Sequence, residues 1–198
     1  MKKVLVYQID INHIKNDIEF NNNLTSILED FAKNQPPCEE SSGYSITTCS
    51  DDSIFFKIDY KKYIMDCFYE VLKKYFVEIN AVAKQALIKR VWCNRVFSGT
   101  SVKPHYHYDT NLENFEKNSL DLVAIFYYEC PENSSIITFI DSDKILDSCD
   151  SYDPTKKTNL VLEEGTFIVH PNDLIHSVSE FNSEKHRTCF VFDIKLIF

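Results

Sequence analysis

Val91-Trp92-Cys93-Asn94-Arg95-Val96-Phe97 marks a change of character in the chain. From this stretch onward, apolar, aromatic and β-branched runs recur at short intervals between polar loops. Each run is short enough for a strand and is bounded by turn-forming residues. The expected strands cover residues 90–97, 101–108, 120–130, 135–141, 158–163, 166–170, 174–179 and 187–198. Glu163-Glu164-Gly165 is a hairpin turn signal. Eight short strands in succession, with no helix between them, predict a β-sandwich or jelly roll.

The first half reads differently. Val4, Val6, Ile9 and Ile11 sit in a β-rich opening. Leu24, Ile27, Leu28 and Phe31 then follow a helical spacing, with Asn22 or Asn23 as the expected cap. Residues 34–52 are polar, carry Pro36-Pro37 and Gly43, and are expected to form a loop. A short strand is expected near residues 54–58. The clearest helix runs from about residue 61 to 86. Ile64, Phe68, Val71, Leu72, Tyr75, Ile79, Val82 and Ala86 make one apolar stripe along it. Such a stripe reads as packing against a sheet. The expected fold is therefore α+β in one domain, 1–198. Residues 1–89 supply a strand and helical support, and residues 90–198 form a jelly-roll core that carries the site.

Bulk properties narrow the function. A chain of 198 residues with 44% hydrophobic content can bury a core. The formal net charge of −9 and the absence of any Lys/Arg-rich run disfavour nucleic acid as a partner. Met1-Lys2-Lys3 precedes only Val4-Leu5-Val6-Tyr7 before Gln8 and Asp10, too short for a signal peptide, and no segment predicts a membrane span. The seven cysteines are odd in number and contain no Cys-x-x-Cys. Free thiols in a reducing, cytoplasmic setting are the expectation, and a zinc ribbon is excluded.

The chemistry-bearing residues cluster in the β-rich half. His107-Tyr108-Asp109 is followed by a distant His176 and, after ten intervening residues, by Arg187. A His-x-Asp pair plus a remote His is the ligand set of the two-His, one-carboxylate face that holds non-haem Fe(II). Arg187 can offer a two-pronged fork to the carboxylate of an acid cosubstrate. On a strand, alternate residues share a face and stand about 6.7 Å apart, so His105, His107 and Asp109 offer two adjacent pairs. One frame uses His107 with Asp109, the other His105 with His107. His170 and His176 compete to complete either. A turn between 176 and 187 would set His176 and Arg187 on neighbouring strands, with His186 facing outward. Asn94, Arg95, Tyr127 and Tyr128 lie on strands that could line a pocket, and one of the two tyrosines is expected to do so.

Several stretches together resemble the Fe(II)/2-oxoglutarate-dependent oxygenases, in particular the small ones of bacteria and phages. They are Trp92 to Gly99, Pro104-His105-Tyr106-His107-Tyr108-Asp109, Phe126 to Pro131, Gly165 to Pro171, His176 and Arg187. The resemblance spans roughly residues 90–198. It implies a double-stranded β-helix, Fe(II) held by His107, Asp109 and His176, and 2-oxoglutarate anchored by Arg187. Asn94 and Tyr127 are further expected contacts for that cosubstrate. The implied activity is hydroxylation of a C–H bond with O2, releasing succinate and CO2, on a small molecule or an amino-acid side chain. Close members often carry His-x-His, as in His105-Tyr106-His107. The same stretch resembles cupins through Gly99…His105-Tyr106-His107, which implies a three-His dioxygenase instead. A metal-free β-sandwich binding module is the non-enzymatic alternative. A homodimer stays open. The polar, Asp-rich connection 141–157 is expected to cover the substrate side of the site, which would favour a cationic substrate.

Overall fold

A computed structural model describes residues 4–34, 43–48, 61–107, 120–132, 136–140 and 157–198. The chain opens with β1 (Leu5–Gln8), a single helical turn α1 (Asn12–Lys15) and α2 (Ile18–Asn34). The second helix begins ahead of Asn22 and Asn23, which the sequence pattern suggested as caps. Asp17 supplies the reason: its Oδ1 accepts the Phe20 N–H at 2.9 Å, closing the first turn. Its Oδ2 accepts from the Tyr63 hydroxyl at 2.7 Å, so the helix start is fixed from two sides.

A strand also lies within the stretch expected to be loop. β2 (Ser45–Thr47) pairs antiparallel with the end of the long β3 (Gln85–Val96). The expected strand near 54–58 lies outside the described residues. The long helix is shorter than its stripe implied. A π-helical turn (Lys61–Met65) leads into α3 (Asp66–Ile79). Asn80 then takes a left-handed conformation, φ 52°, and the Ala81 N–H closes the end on the Phe76 carbonyl at 3.1 Å. Val82 consequently lies exposed and Ala86 belongs to β3. Hydrophobic spacing carried the stripe past the cap because Val82 and Ala86 fit it by chance.

The remaining strands are β4 (Val102–His105), β5 (Leu122–Glu129), β6 (Ile136–Ile140), β7 (Lys157–Val161), β8 (Thr166–Pro171), β9 (His176–Val178) and β10 (Arg187–Ile197). The expected strands of the C-terminal half all form, within a few residues at their ends. They make two sheets among the described residues. One has the order β1-β8-β5-β10-β3-β2 and the other β4-β9-β6-β7, with every pairing antiparallel. The turn at Glu163-Glu164-Gly165 exists, with the Thr166 N–H on the Glu163 carbonyl at 3.1 Å. It does not make a hairpin, however: it carries the chain from β7 in the small sheet to β8 in the large one. Gly165 has φ 80°, and a Cβ there would lie 2.4 Å from the Ile9 carbonyl oxygen, so only glycine fits the crossing.

The molecule has three layers. One face of the large sheet packs on the helices through Phe68, Phe126, Phe167, Phe190 and Phe192. Phe68 of α3 reaches across to Phe192 and Phe167, at 5.0 and 6.2 Å between ring centroids. The other face meets the small sheet through Trp92, Val123, Ile125, Tyr127, Ile137, Phe139, Ile168, Val178 and Val191. β5 is buried on both sides, which explains its continuous apolar run rather than an alternating one. The site lies in the second interior, between the sheets.

Candidate metal centre and cosubstrate site

His105 ends β4 and pairs in register with His176 at the start of β9. His107 stands two residues beyond the strand end. Its backbone is clamped by Asn172: the His107 N–H donates to the Asn172 carbonyl at 3.0 Å, and the Asn172 amide donates to the His107 carbonyl at 3.2 Å. Leaving the strand allows His107 to approach His105 and His176 more closely than a regular pleat would. One ring nitrogen from each of His105, His107 and His176 lies within 4.8 Å of the others. His107 and His176 are buried and His105 is half-buried. Asp109 lies outside the described residues.

The other ring edge of each histidine is already used. Nδ1 of His105 donates to the Lys103 carbonyl at 2.8 Å, Nδ1 of His176 to the Leu174 carbonyl at 3.2 Å, and Nδ1 of His107 to Oδ1 of Asp193 at 2.8 Å. A proton fixed on Nδ1 leaves the Nε2 lone pair of each ring for the centre of the cluster. That is how outer partners orient histidines that ligate a metal. Burial, and then the neighbouring His170, His105 and His107, push the His176 imidazole well below its usual range and keep it neutral. The donor set fits a divalent ion: at about 2.1 Å from a metal, ligands on one face stand roughly 3 Å apart, within reach of small ring rotations.

Asp193 was not anticipated from the sequence. It is fully buried, holds His107 with Oδ1, and accepts from Arg90 with Oδ2, at 2.7 Å from Nε and 2.5 Å from Nη2. Its signal was available as a lone acid inside the apolar run Phe190-Val191-Phe192-Asp193-Ile194. Trp92 lies under the His107 ring, stacked at 5.5 Å between centroids.

The large sheet continues the site along β10. Asp193, Val191, Cys189 and Arg187 alternate on the inward face. Asn94 and Tyr127 flank Cys189 on the two adjacent strands, so the three share a row. Tyr127 faces the space between the sheets, whereas Tyr128 faces the helices and donates to Asn21 Oδ1 at 2.5 Å. Arg95 also leaves the site, pairing with Glu129 at 3.1 Å. Oδ1 of Asn94 is buried with no partner among the described residues. Arg187 is 2% exposed, and its guanidinium lies over the Phe181 ring at 5.3 Å. His176 and Arg187 are not on neighbouring strands, since β9 and β10 belong to opposite sheets. From Asp193 to Arg187 the strand covers about 20 Å. The histidine cluster therefore stands near one end of a row of polar and buried groups, and Arg187 at the other.

A cluster of three oriented histidines that could hold a metal ion lies between the two antiparallel sheets of a jelly roll. The chain belongs to the 2OG-Fe(II) oxygenases: a family model described as "Putative 2OG-Fe(II) oxygenase" matches residues 90–193, more than half of its length. Solved structures agree in fold. A viral collagen prolyl hydroxylase from Paramecium bursaria Chlorella virus 1, in complex with 2-oxoglutarate, is 14% identical with a TM-score of 0.56, covering 98% of this chain and 96% of that one. A prolyl-4-hydroxylase of Pseudomonas putida is 8% identical, TM-score 0.55, over 98% and 91% of the two chains. A prolyl hydroxylase of Trichoplax adhaerens, in complex with a hypoxia-inducible-factor peptide, is 7% identical, TM-score 0.58, over 96% and 82%. No curated protein matches the sequence significantly. The fold is thus the double-stranded β-helix of these oxygenases, the chain is an enzyme of that class, and Fe(II) and 2-oxoglutarate are its cofactors. No helix among the described residues is long and apolar enough to cross a membrane.

Proposed function

We propose that this oxygenase hydroxylates a C–H bond of an amino-acid side chain or small molecule, with His105, His107 and His176 holding Fe(II) and Arg187 fixing the far carboxylate of 2-oxoglutarate. The observation that carries the reading is the convergence of three histidines whose Nδ1 edges are all engaged outside the cluster. When bound, the two cofactors supply oxidation of the substrate by O2, with release of succinate and CO2. The chain's own residues bind and orient. Asp193 and the Lys103 and Leu174 carbonyls fix the imidazoles. Asn94 and Tyr127 line the stretch between the cluster and Arg187, and the Asn94 side-chain oxygen is buried there without a partner among the described residues. Burial pushes the Tyr127 phenol far up, so it acts as a neutral hydroxyl.

Asp109 competes with His105 for the third ligand position in the sequence pattern. Among the described residues, His105 is the one that gathers with His107 and His176. Peptidyl proline is the first substrate to assay, because structures that share the fold across nearly the whole chain are described as prolyl hydroxylases. The deciding assay is Fe(II)-dependent conversion of 2-oxoglutarate to succinate, run with prolyl peptides and an amino-acid panel. Iron-dependent succinate together with a hydroxylated product supports the reading. Oxygen uptake without any succinate would overturn it.

A further inference from the structure

His170 is a fourth imidazole beside the cluster. It is the register partner of Val123, which in turn pairs with Asp193 on the next strand. The three side chains therefore share one row on the face of the large sheet that meets the small sheet. The His170 ring lies 4.8 Å from that of His176, 6.4 Å from that of His107 and 5.1 Å from Phe139, between centroids. It is fully buried. Its Nδ1 donates to the Pro171 carbonyl at 2.7 Å, so the proton sits on that nitrogen. Nε2, at the tip of the ring, has no partner among the described residues. It does not join the three nitrogens that gather within 4.8 Å.

A buried acceptor without a donor costs about 1–3 kcal/mol, and buried polar atoms of this kind are normally satisfied by water. With the Nδ1–H held by the Pro171 carbonyl, Nε2 is the ring's remaining acceptor. The side chains of Val123 and Phe139 beside it offer no donor. We propose that His170 is a positioning residue whose Nε2 accepts a hydrogen bond from a water shared with the metal held by His105, His107 and His176. The inference rests on the three-histidine reading above. It makes His170 the group that holds water in an open position of the site.

The test uses the whole chain loaded with Mn(II), reading metal affinity by titration and the bound water by its enhancement of solvent proton relaxation. Wild type should bind one Mn(II) and give a relaxation profile dominated by one slowly exchanging water. His170→Phe should bind Mn(II) within threefold of wild type, yet change the exchange contribution by twofold or more. His170→Gln, whose amide oxygen can accept in the same direction, should return it towards wild type. A relaxation profile unchanged in His170→Phe overturns the inference. So does a tenfold or greater loss of Mn(II) affinity, which would make His170 a ligand rather than the partner of a water. Absence of Mn(II) binding by the wild type would instead overturn the metal-site reading itself, and the inference would fall with it.

Discussion

Asp193 and His107, 86 residues apart in the chain, share a 2.8 Å hydrogen bond between two buried side chains. The carboxylate fixes the proton on Nδ1, turns Nε2 towards the cluster, and is itself held by Arg90. Outer partners of this kind set metal affinity by about 10–100-fold. Asp193→Ala should therefore weaken Fe(II) or Mn(II) binding by that factor in calorimetric titration. Asp193→Asn, which still accepts from Nδ1, should lose less. Wild-type affinity in the alanine variant would remove Asp193 from the site.

His105 and Asp109 are sorted by the same titration. His105→Ala should lower metal affinity more than about 100-fold, beyond the cost of an outer partner, whereas Asp109→Ala should stay within about threefold. The reverse pattern would restore the two-His, one-carboxylate frame.

Arg187 is assigned through its planar fork, which lysine cannot reproduce. Arg187→Lys should raise the apparent KM for 2-oxoglutarate tenfold or more, about 1.4 kcal/mol, while the metal dissociation constant changes less than threefold. Equal effects on both, or none on either, would defeat the assignment.

Glu129 gives a pH signature on the helix side of the large sheet. Burial pushes its carboxyl up, but hydrogen bonds from His186 and Thr188 and the charge of Arg95 outweigh it and bring the pKa down to about 2. A carboxyl depressed in the folded state contributes stability above its unfolded value of about 4.5, and that contribution is lost as pH falls towards 2. Thermal melts should therefore show Glu129→Gln less stable than wild type at pH 6, with the gap closing between pH 4.5 and pH 2. A gap independent of pH would mean that the carboxylate charge contributes nothing.

Phe68 tests the separation of the layers. It is 1% exposed and packs on Phe192 and Phe167 across from the site. Phe68→Ala should cost about 3–5 kcal/mol in denaturant unfolding, yet leave metal affinity of the folded fraction within threefold. A parallel loss of metal binding would mean that the two cores are mechanically coupled.

Hydrophobic period and turn residues alone determined the eight C-terminal strands, the helical first half and the stripe that packs on a sheet, because these are local consequences of side-chain alternation. The spacing of His105, His107, His176 and Arg187 likewise marked the site region. Helix ends were less legible: Asp17 and Asn80 act through capping geometry, which weak periodicity runs straight past. What only the tertiary structure decided was pairing. Local pattern cannot say that β9 and β10 belong to opposite sheets, or that Glu163-Glu164-Gly165 crosses between them, because sheet membership is fixed by long-range burial. Nor can it bring Asp193 to His107 or His170 beside His176. Those contacts depend on register across β8, β5, β10 and β3, where a one-residue slip would turn each of these side chains to the other face.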